Sequence, residues 1–215
     1  MKKILMAAAL LVAGASIANA EGYNRVALSY DMQHFSMNKE YTGADKSEGR
    51  NLNGFGVAYT HGFGVAENMF VETGLGFNAG FGTESEGDYK QKMQNMNFKV
   101  PVNYVYRFNV ADGITIAPYA GINFKLNVAS KLRSEYDGEK SDWVSVFDKD
   151  KMGGDDYTWN RFQMGWQVGV GFSYDKYYLG IQYGTDFIPA YSHKFDGGTA
   201  KVNSSNLNIA VGYTF

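Results

Sequence analysis

After residue 20, apolar and polar residues alternate with a period of two along most of the chain. Val26, Leu28, Tyr30 and Met32 alternate with Arg25, Ala27, Ser29, Asp31 and Gln33. The same pattern runs through 55–59, 69–81, 96–108, 114–128, 162–174, 179–187 and 207–215. A period of two places alternate side chains on opposite faces of a strand, so these stretches predict eight β-strands. The connections before the third, fifth and seventh strands are short ("HGFGVAEN", "NVADG" and "DK"). Those before the second, fourth, sixth and eighth are longer, and the one before the sixth runs from about residue 130 to 158. An antiparallel meander with every second connection long gathers the long loops at one end.

The two faces differ in size and charge. One is large, rich in Phe, Tyr, Leu, Val and Ile, and uncharged. The other carries Gly54, Gly56, Gly74, Gly76, Gly121, Gly165, Gly169 and Gly180 together with Asn, Gln and a few charges. A soluble lipocalin-like protein keeps its bulky apolar side chains inside and shows Lys and Glu to water. Here the charge-free face is the bulky one, which suits contact with lipid, and the glycine-rich face suits a narrow interior. Several segments exceed ordinary strand length and match the roughly 9–11 residues of a tilted membrane strand. Lipid leaves no water for an open sheet edge, so such a sheet must close. The expected fold is all-β, an eight-stranded antiparallel up-and-down transmembrane β-barrel. Aromatics near the predicted strand ends (Tyr23, Phe35, Phe81, Tyr106, Phe108, Tyr174, Tyr177, Phe187 and Phe215) match interfacial girdles.

The first twenty residues read differently. Lys2 and Lys3 precede an apolar run that closes with Ala18-Asn19-Ala20, the arrangement of a cleaved signal peptide over 1–20. Residues 21–215 then form a single domain. Cysteine is absent, which leaves no disulfide and no site for a lipoprotein lipid. A formal net charge of -2 gives no footprint for nucleic acid. Export with an even strand count predicts the outer membrane of a Gram-negative bacterium, with both termini in the periplasm and the long loops outside.

Eight charges fall on the predicted interior face: Arg25, Asp31, Glu72, Lys99, Arg107, Lys125, Arg161 and Asp186. Unpaired buried charge is costly, so in a narrow interior these side chains are expected to pair and fill the space. The reading is a non-enzymatic monomer with a structural or surface-interaction role through its loops, surrounded by outer-membrane lipid and lipopolysaccharide. The alternatives are a small passive channel and a lipid-modifying enzyme. For the enzyme, His34 stands two positions from Ser36 with Asp31 nearby, a two-residue coincidence; His61, in a short turn, and His193, in the last loop, lack partner sets. In "KSDWVSVFDKDKMGGDDYTW", Asp148, Asp150, Asp155 and Asp156 invite a calcium reading. Counted from Asp148, however, positions five and twelve hold Met152 and Trp159, so the EF-hand pattern fails. Weak divalent-ion binding by loop 131–157, bridging to lipopolysaccharide phosphate, stays open. The spaced glycines of "GFGVAENMF" lead into no helix and cradle no phosphate. No cofactor is expected.

The segments "FKVPVNYVYRF", "IAPYAGINF", "GWQVGVGFSYDKYYLGIQYG" and "LNIAVGYTF" resemble the outer-membrane β-barrel domain family of Bacteroidota, related to OmpX, OmpA and PorT-type barrels. The resemblance runs from about residue 23 to 215 and implies fold and location rather than a specific activity. With no peptidoglycan-binding domain following, it points to the free-standing type. The closing "NLNIAVGYTF" reads as a strand that pairs with the first. Its terminal aromatics, Tyr213 and Phe215, resemble the signal read by barrel-assembly machinery, and an external ligand at the loops is left unidentified.

Overall fold

In a computed structural model of the chain, the described residues are 22–43, 48–152, 154 and 157–215. The segment read as a signal peptide lies outside them. Among the described residues there are twelve strands. They are β1 (Tyr23–Met37), β2 (Glu48–Ala66), β3 (Met69–Glu86), β4 (Tyr89–Tyr106), β5 (Phe108–Ala111), β6 (Ile114–Tyr136), β7 (Glu139–Lys140), β8 (Val144–Ser145), β9 (Phe162–Tyr174), β10 (Tyr177–Asp186), β11 (Tyr191–Phe195) and β12 (Gly198–Thr214). All belong to one sheet. Eight of them follow one another as β1-β2-β3-β4-β6-β9-β10-β12, and β12 pairs back onto β1 to complete a ring.

The expectation of an eight-stranded up-and-down barrel is therefore corrected to a single twelve-stranded sheet. The four extra strands come from segments that alternation could not resolve. β5, β7 and β8 all pair with β6, and β11 pairs with β12. Each is two to five residues long, too short to display a period. Tight turns create them: Asp137 and Gly138 adopt φ of 48° and 81°, the left-handed pair that reverses a two-residue hairpin. Gly87, at φ 57°, sits in a similar two-residue reversal between β3 and β4. The link before the fourth long strand is thus no long loop but the tip of a hairpin that projects from the ring. At the opposite end, Asn68 (φ 61°) and Asp175 (φ 49°) turn β2 into β3 and β9 into β10. β2 continues to Ala66, so His61, expected in a turn, lies within a strand. There its Nδ1 is 2.8 Å from Asn24 Oδ1.

Alternation decides the two faces. In β1, Arg25, Asp31, Gln33 and Phe35 are buried while Val26, Leu28, Tyr30 and Met32 are exposed. The outer face is a continuous apolar surface, with Leu28 at 63%, Phe55 at 62% and Val211 at 58% exposure. A soluble monomer seldom shows an apolar patch beyond a few hundred Å². Two of the expected girdle aromatics differ: Tyr23 and Phe35 have interior parity and are buried. The other seven are exposed or partly exposed.

Local irregularities have identifiable causes. Pro101 lies inside β4, and the β3–β4 register skips from Thr73↔Val102 to Gly76↔Lys99 around it. Proline has no N–H to donate to the ladder. The Thr73 hydroxyl instead donates to the Pro101 carbonyl at 2.7 Å. Farther along, a bulge lets Val128 of β6 stand without a partner between Asn127↔Asn97 and Ala129↔Met96. The bulge shifts the parity by one residue, so Ser130, beyond it, is buried inside. At the chain end, the backbones of Phe215 and Asn24 exchange two hydrogen bonds of 2.9 Å, which extends the β1–β12 pairing to the last residue.

Candidate functional site

The polar interior of the ring is the candidate site. Its layers are described from the end holding the chain termini toward the end holding the long connections. At the terminus end, Tyr23, Phe70 and Val105 form a small apolar floor. The Arg107 guanidinium lies over the Tyr23 ring, 3.9 Å from its centroid, and 4.9 Å from that of Phe70. Above the floor, Arg25 and Glu72 form a buried ion pair. Glu72 Oε2 also accepts from the Tyr23 hydroxyl at 2.8 Å, and Arg25 stacks on Tyr178 at 3.8 Å. Except for Arg107, which stands between β4 and β5, each of these groups comes from a strand position of interior parity.

Glycine makes this packing possible. A Cβ on Gly169 would collide with the Tyr119 ring, and one on Gly171 or Gly180 with the Tyr178 ring. The tyrosines therefore lie flat across the interior. Above them is a cavity of about 90 Å³ bordered by Arg25, Glu72, Lys99, Asn103, Tyr119 and Gln182, with room for several waters.

The next layer is a hydrogen-bonded chain that crosses the ring. Lys125 Nζ donates to Asp186 Oδ2 at 2.5 Å and to Ser204 Oγ at 3.3 Å. Gln33 donates to the same hydroxyl at 3.2 Å, and Asn95 donates to Gln33 Oε1 at 3.0 Å and Asn127 Oδ1 at 3.2 Å. Asn127 passes the chain to Gln163 Oε1 at 2.8 Å. Asp31 accepts from Ser29 at 2.7 Å and from Asn208 at 2.8 Å. A second cavity of about 20 Å³ lies beside Asp31, Lys99, Lys125, Asn97 and Asn206. Asn97 Oδ1 and Asn206 Nδ2 there lack a protein partner.

The loop end is closed by an apolar cap. Phe35, Met37, Leu52, Met93 and Val202 from the ring strands pack with Val146, Trp159 and Ala190 from the connections and with Tyr191 of β11. Phe35 and Trp159 have ring centroids 5.4 Å apart. Backbone bonds hold the connections in place: Val146 N donates to Ser130 O, Trp159 N to Val146 O, and Ala190 N to Val202 O, at 2.8 to 3.0 Å. The 137–161 connection thus sends Val146 and Trp159 into the mouth of the ring.

Of the eight charges singled out in sequence, the structure brings together Arg25 with Glu72 and Lys125 with Asp186. Asp31 is held by Ser29 and Asn208, Lys99 borders both cavities, and Arg107 stacks on aromatic rings. Arg161 stands apart. It is exposed at the loop end, with its guanidinium 4.2 Å from the Phe147 ring centroid. Sequence reasoning missed Gln33, Asn95, Asn127, Gln163 and Ser204, which lie on the interior parity but carry no charge. Parity combined with amide chemistry was the signal that could have found them.

The remaining candidates fall apart in space. His34 and Ser36 have outer-face parity, and His34 Nδ1 lies 2.7 Å from Asn51 Oδ1. Asp31 is on the opposite face, so the three form no triad. Among the described residues, no group of three or more His, Asp or Glu side chains is placed to hold a metal ion. Asp155 and Asp156 lie outside the described residues, and Asp148 caps the turn that follows, its Oδ1 accepting from Asp150 N at 3.2 Å.

Comparison with solved structures finds similar folds at low identity. Ail, the attachment invasion locus protein of Yersinia pestis, is 13% identical over 91% of this chain and 100% of its own, with a TM-score of 0.46. Neisserial surface protein A is 14% identical over 91% of this chain and 100% of its own, at 0.44. OprG of Pseudomonas aeruginosa is 13% identical over 90% of this chain and 96% of its own, at 0.47. Among curated proteins no relative matches. The family model of the outer membrane protein beta-barrel domain matches residues 4–215, and the chain belongs to that family.

Proposed function

We propose that this outer-membrane protein is a non-enzymatic surface protein whose interior is filled and does not conduct. The observation that carries the reading is the succession of closures along the interior. The Arg25–Glu72 pair with its stacked tyrosines, the Lys125–Asp186 chain of polar side chains and the apolar cap lie one above another. An ion crossing the ring would have to displace all three. In this reading residues 1–20 are removed on export, both termini face the periplasm, and the long connections face outward, available to an external partner. The chain acts as a monomer among lipid and lipopolysaccharide. The quoted strand segments favour an OmpX-like member of the family.

Planar-bilayer recording of the purified protein tests this. The expected result is no discrete conductance step, and stable, reproducible steps would establish the channel reading instead. Tyr213 and Phe215 are read as the assembly signal. Deleting Phe215 removes one pair of backbone bonds to Asn24, so the folded protein should lose little stability while insertion in cells falls severalfold. Normal amounts of heat-modifiable, membrane-inserted protein would count against that role.

A further inference from the structure

Beyond the bulge at Val128, the outer face of the β4–β6 pair changes abruptly. Its last apolar pairs are Phe98↔Leu126 and Met96↔Ala129. The register then places Gln94 beside Lys131, Lys92 beside Arg133 and Lys90 beside Glu135. The intervening residues Met93, Asn95, Ser130 and Leu132 point inward, into the cap or the layer beneath it, so the cations are on the outside. Glu135 neutralises part of this charge: Lys92 Nζ donates to it at 3.1 Å. Arg133 lies over Trp143 at 4.8 Å, and its Nε has no hydrogen-bond partner.

The opposite wall differs. Where β1 pairs with β2 and β12, the outer face presents His34 flanked by Asn51 and Ser205, with no Lys or Arg among the three. Lys39, Lys194 and Lys201 lie on the β11–β12 side of the loop end, so the β4–β6 cations form a separate cluster.

We propose that the outer face of the β4–β6 pair binds a phosphorylated glycolipid of the surrounding leaflet, its phosphates held by Lys92, Lys131 and Arg133. The assignment rests on the outer-membrane reading above. A free anion would engage the cations alone, whereas a lipid meets both surfaces: the head on the cations, and the acyl chains along Phe98, Leu126 and Val128 immediately below. Lys131 and Arg133 lie on successive outward positions, roughly 7 Å apart along the strand. Together with Lys92 they form a spread of charge suited to a head bearing more than one phosphate.

Native mass spectrometry of protein released from vesicles tests the site. Three proteins are compared: wild type, a Lys92→Gln/Lys131→Gln/Arg133→Gln variant, and a Lys39→Gln/Lys194→Gln/Lys201→Gln variant that removes equal charge elsewhere on the loop end. Each is inserted into phosphatidylcholine vesicles doped with diphosphoryl lipid A, dephosphorylated lipid A or phosphatidylglycerol, and insertion is scored by the heat-dependent gel shift. Wild type and the second variant should retain diphosphoryl lipid A, and the first variant should insert normally but retain at least tenfold less. Equal retention by all three, or equal retention of the dephosphorylated lipid or phosphatidylglycerol by wild type, overturns the site while leaving the outer-membrane reading intact. If none of the three inserts, both readings fall.

Discussion

Near the terminus end, Arg25, Glu72, Tyr119 and Tyr178 hold one another from β1, β3, β6 and β10, with no residue drawn from a connection. At the loop end, Phe35, Leu52 and Val202 are buried together with Val146 and Trp159, which fold in from a connection, and with Tyr191 of β11. The first region is charged and aromatic, built by register alone. The second is apolar and is assembled from segments distant in the chain. The contrast shows two ways of closing the same ring. One depends on glycines that let large rings lie flat, the other on backbone hydrogen bonds that hold a connection in the mouth.

The comparison breaks most sharply at Glu72. Replacing it with Ala leaves Arg25 buried without its carboxylate and should cost about 3–5 kcal/mol. Denaturant unfolding in detergent micelles measures this, and a loss below about 1 kcal/mol would mean that the pair does not organise the terminus end. Trp159→Ala attacks the other region. It should cost about 3 kcal/mol where the cap is intact, at the lower end for a buried Trp because the site is a connection able to rearrange. Its more specific effect is faster proteolysis within 137–161 with the ring still heat-modifiable. Equal proteolysis of wild type and variant would mean that Trp159 does not anchor the connection. Gly169→Val should have the smallest effect, about 1–3 kcal/mol, because a branched side chain must displace the Tyr119 ring and crowd the Ile181 carbonyl. A Tyr119→Ala partner substitution should recover part of that loss, and failure to do so would place the strain elsewhere.

The legible part of this protein was its two-faced strands. Alternation alone put Val26, Leu28 and Tyr30 outside and Arg25, Asp31 and Glu72 inside, because a pleated strand leaves no other choice once one face is apolar. The pairing of the last strand with the first was also legible, since a sheet in lipid cannot keep an open edge. The strand count was not. β5, β7, β8 and β11 exist because Asp137-Gly138 and similar turns fold short segments back onto β6 and β12, and two to five residues carry no readable period.

What the sequence determined by itself was therefore which face each residue of a long strand occupies, since that follows from neighbours along the chain. Only the tertiary structure decided which interior groups meet. Glu72 pairs with Arg25 rather than Arg107, and Lys125 with Asp186 rather than Asp31, because strand register sets their heights. The same holds for Tyr23 and Phe35, aromatics at strand ends that turned inward because their parity outweighed their position. It also holds for Val146 and Trp159, whose burial depends on a connection folding over a mouth that exists only once the ring has closed.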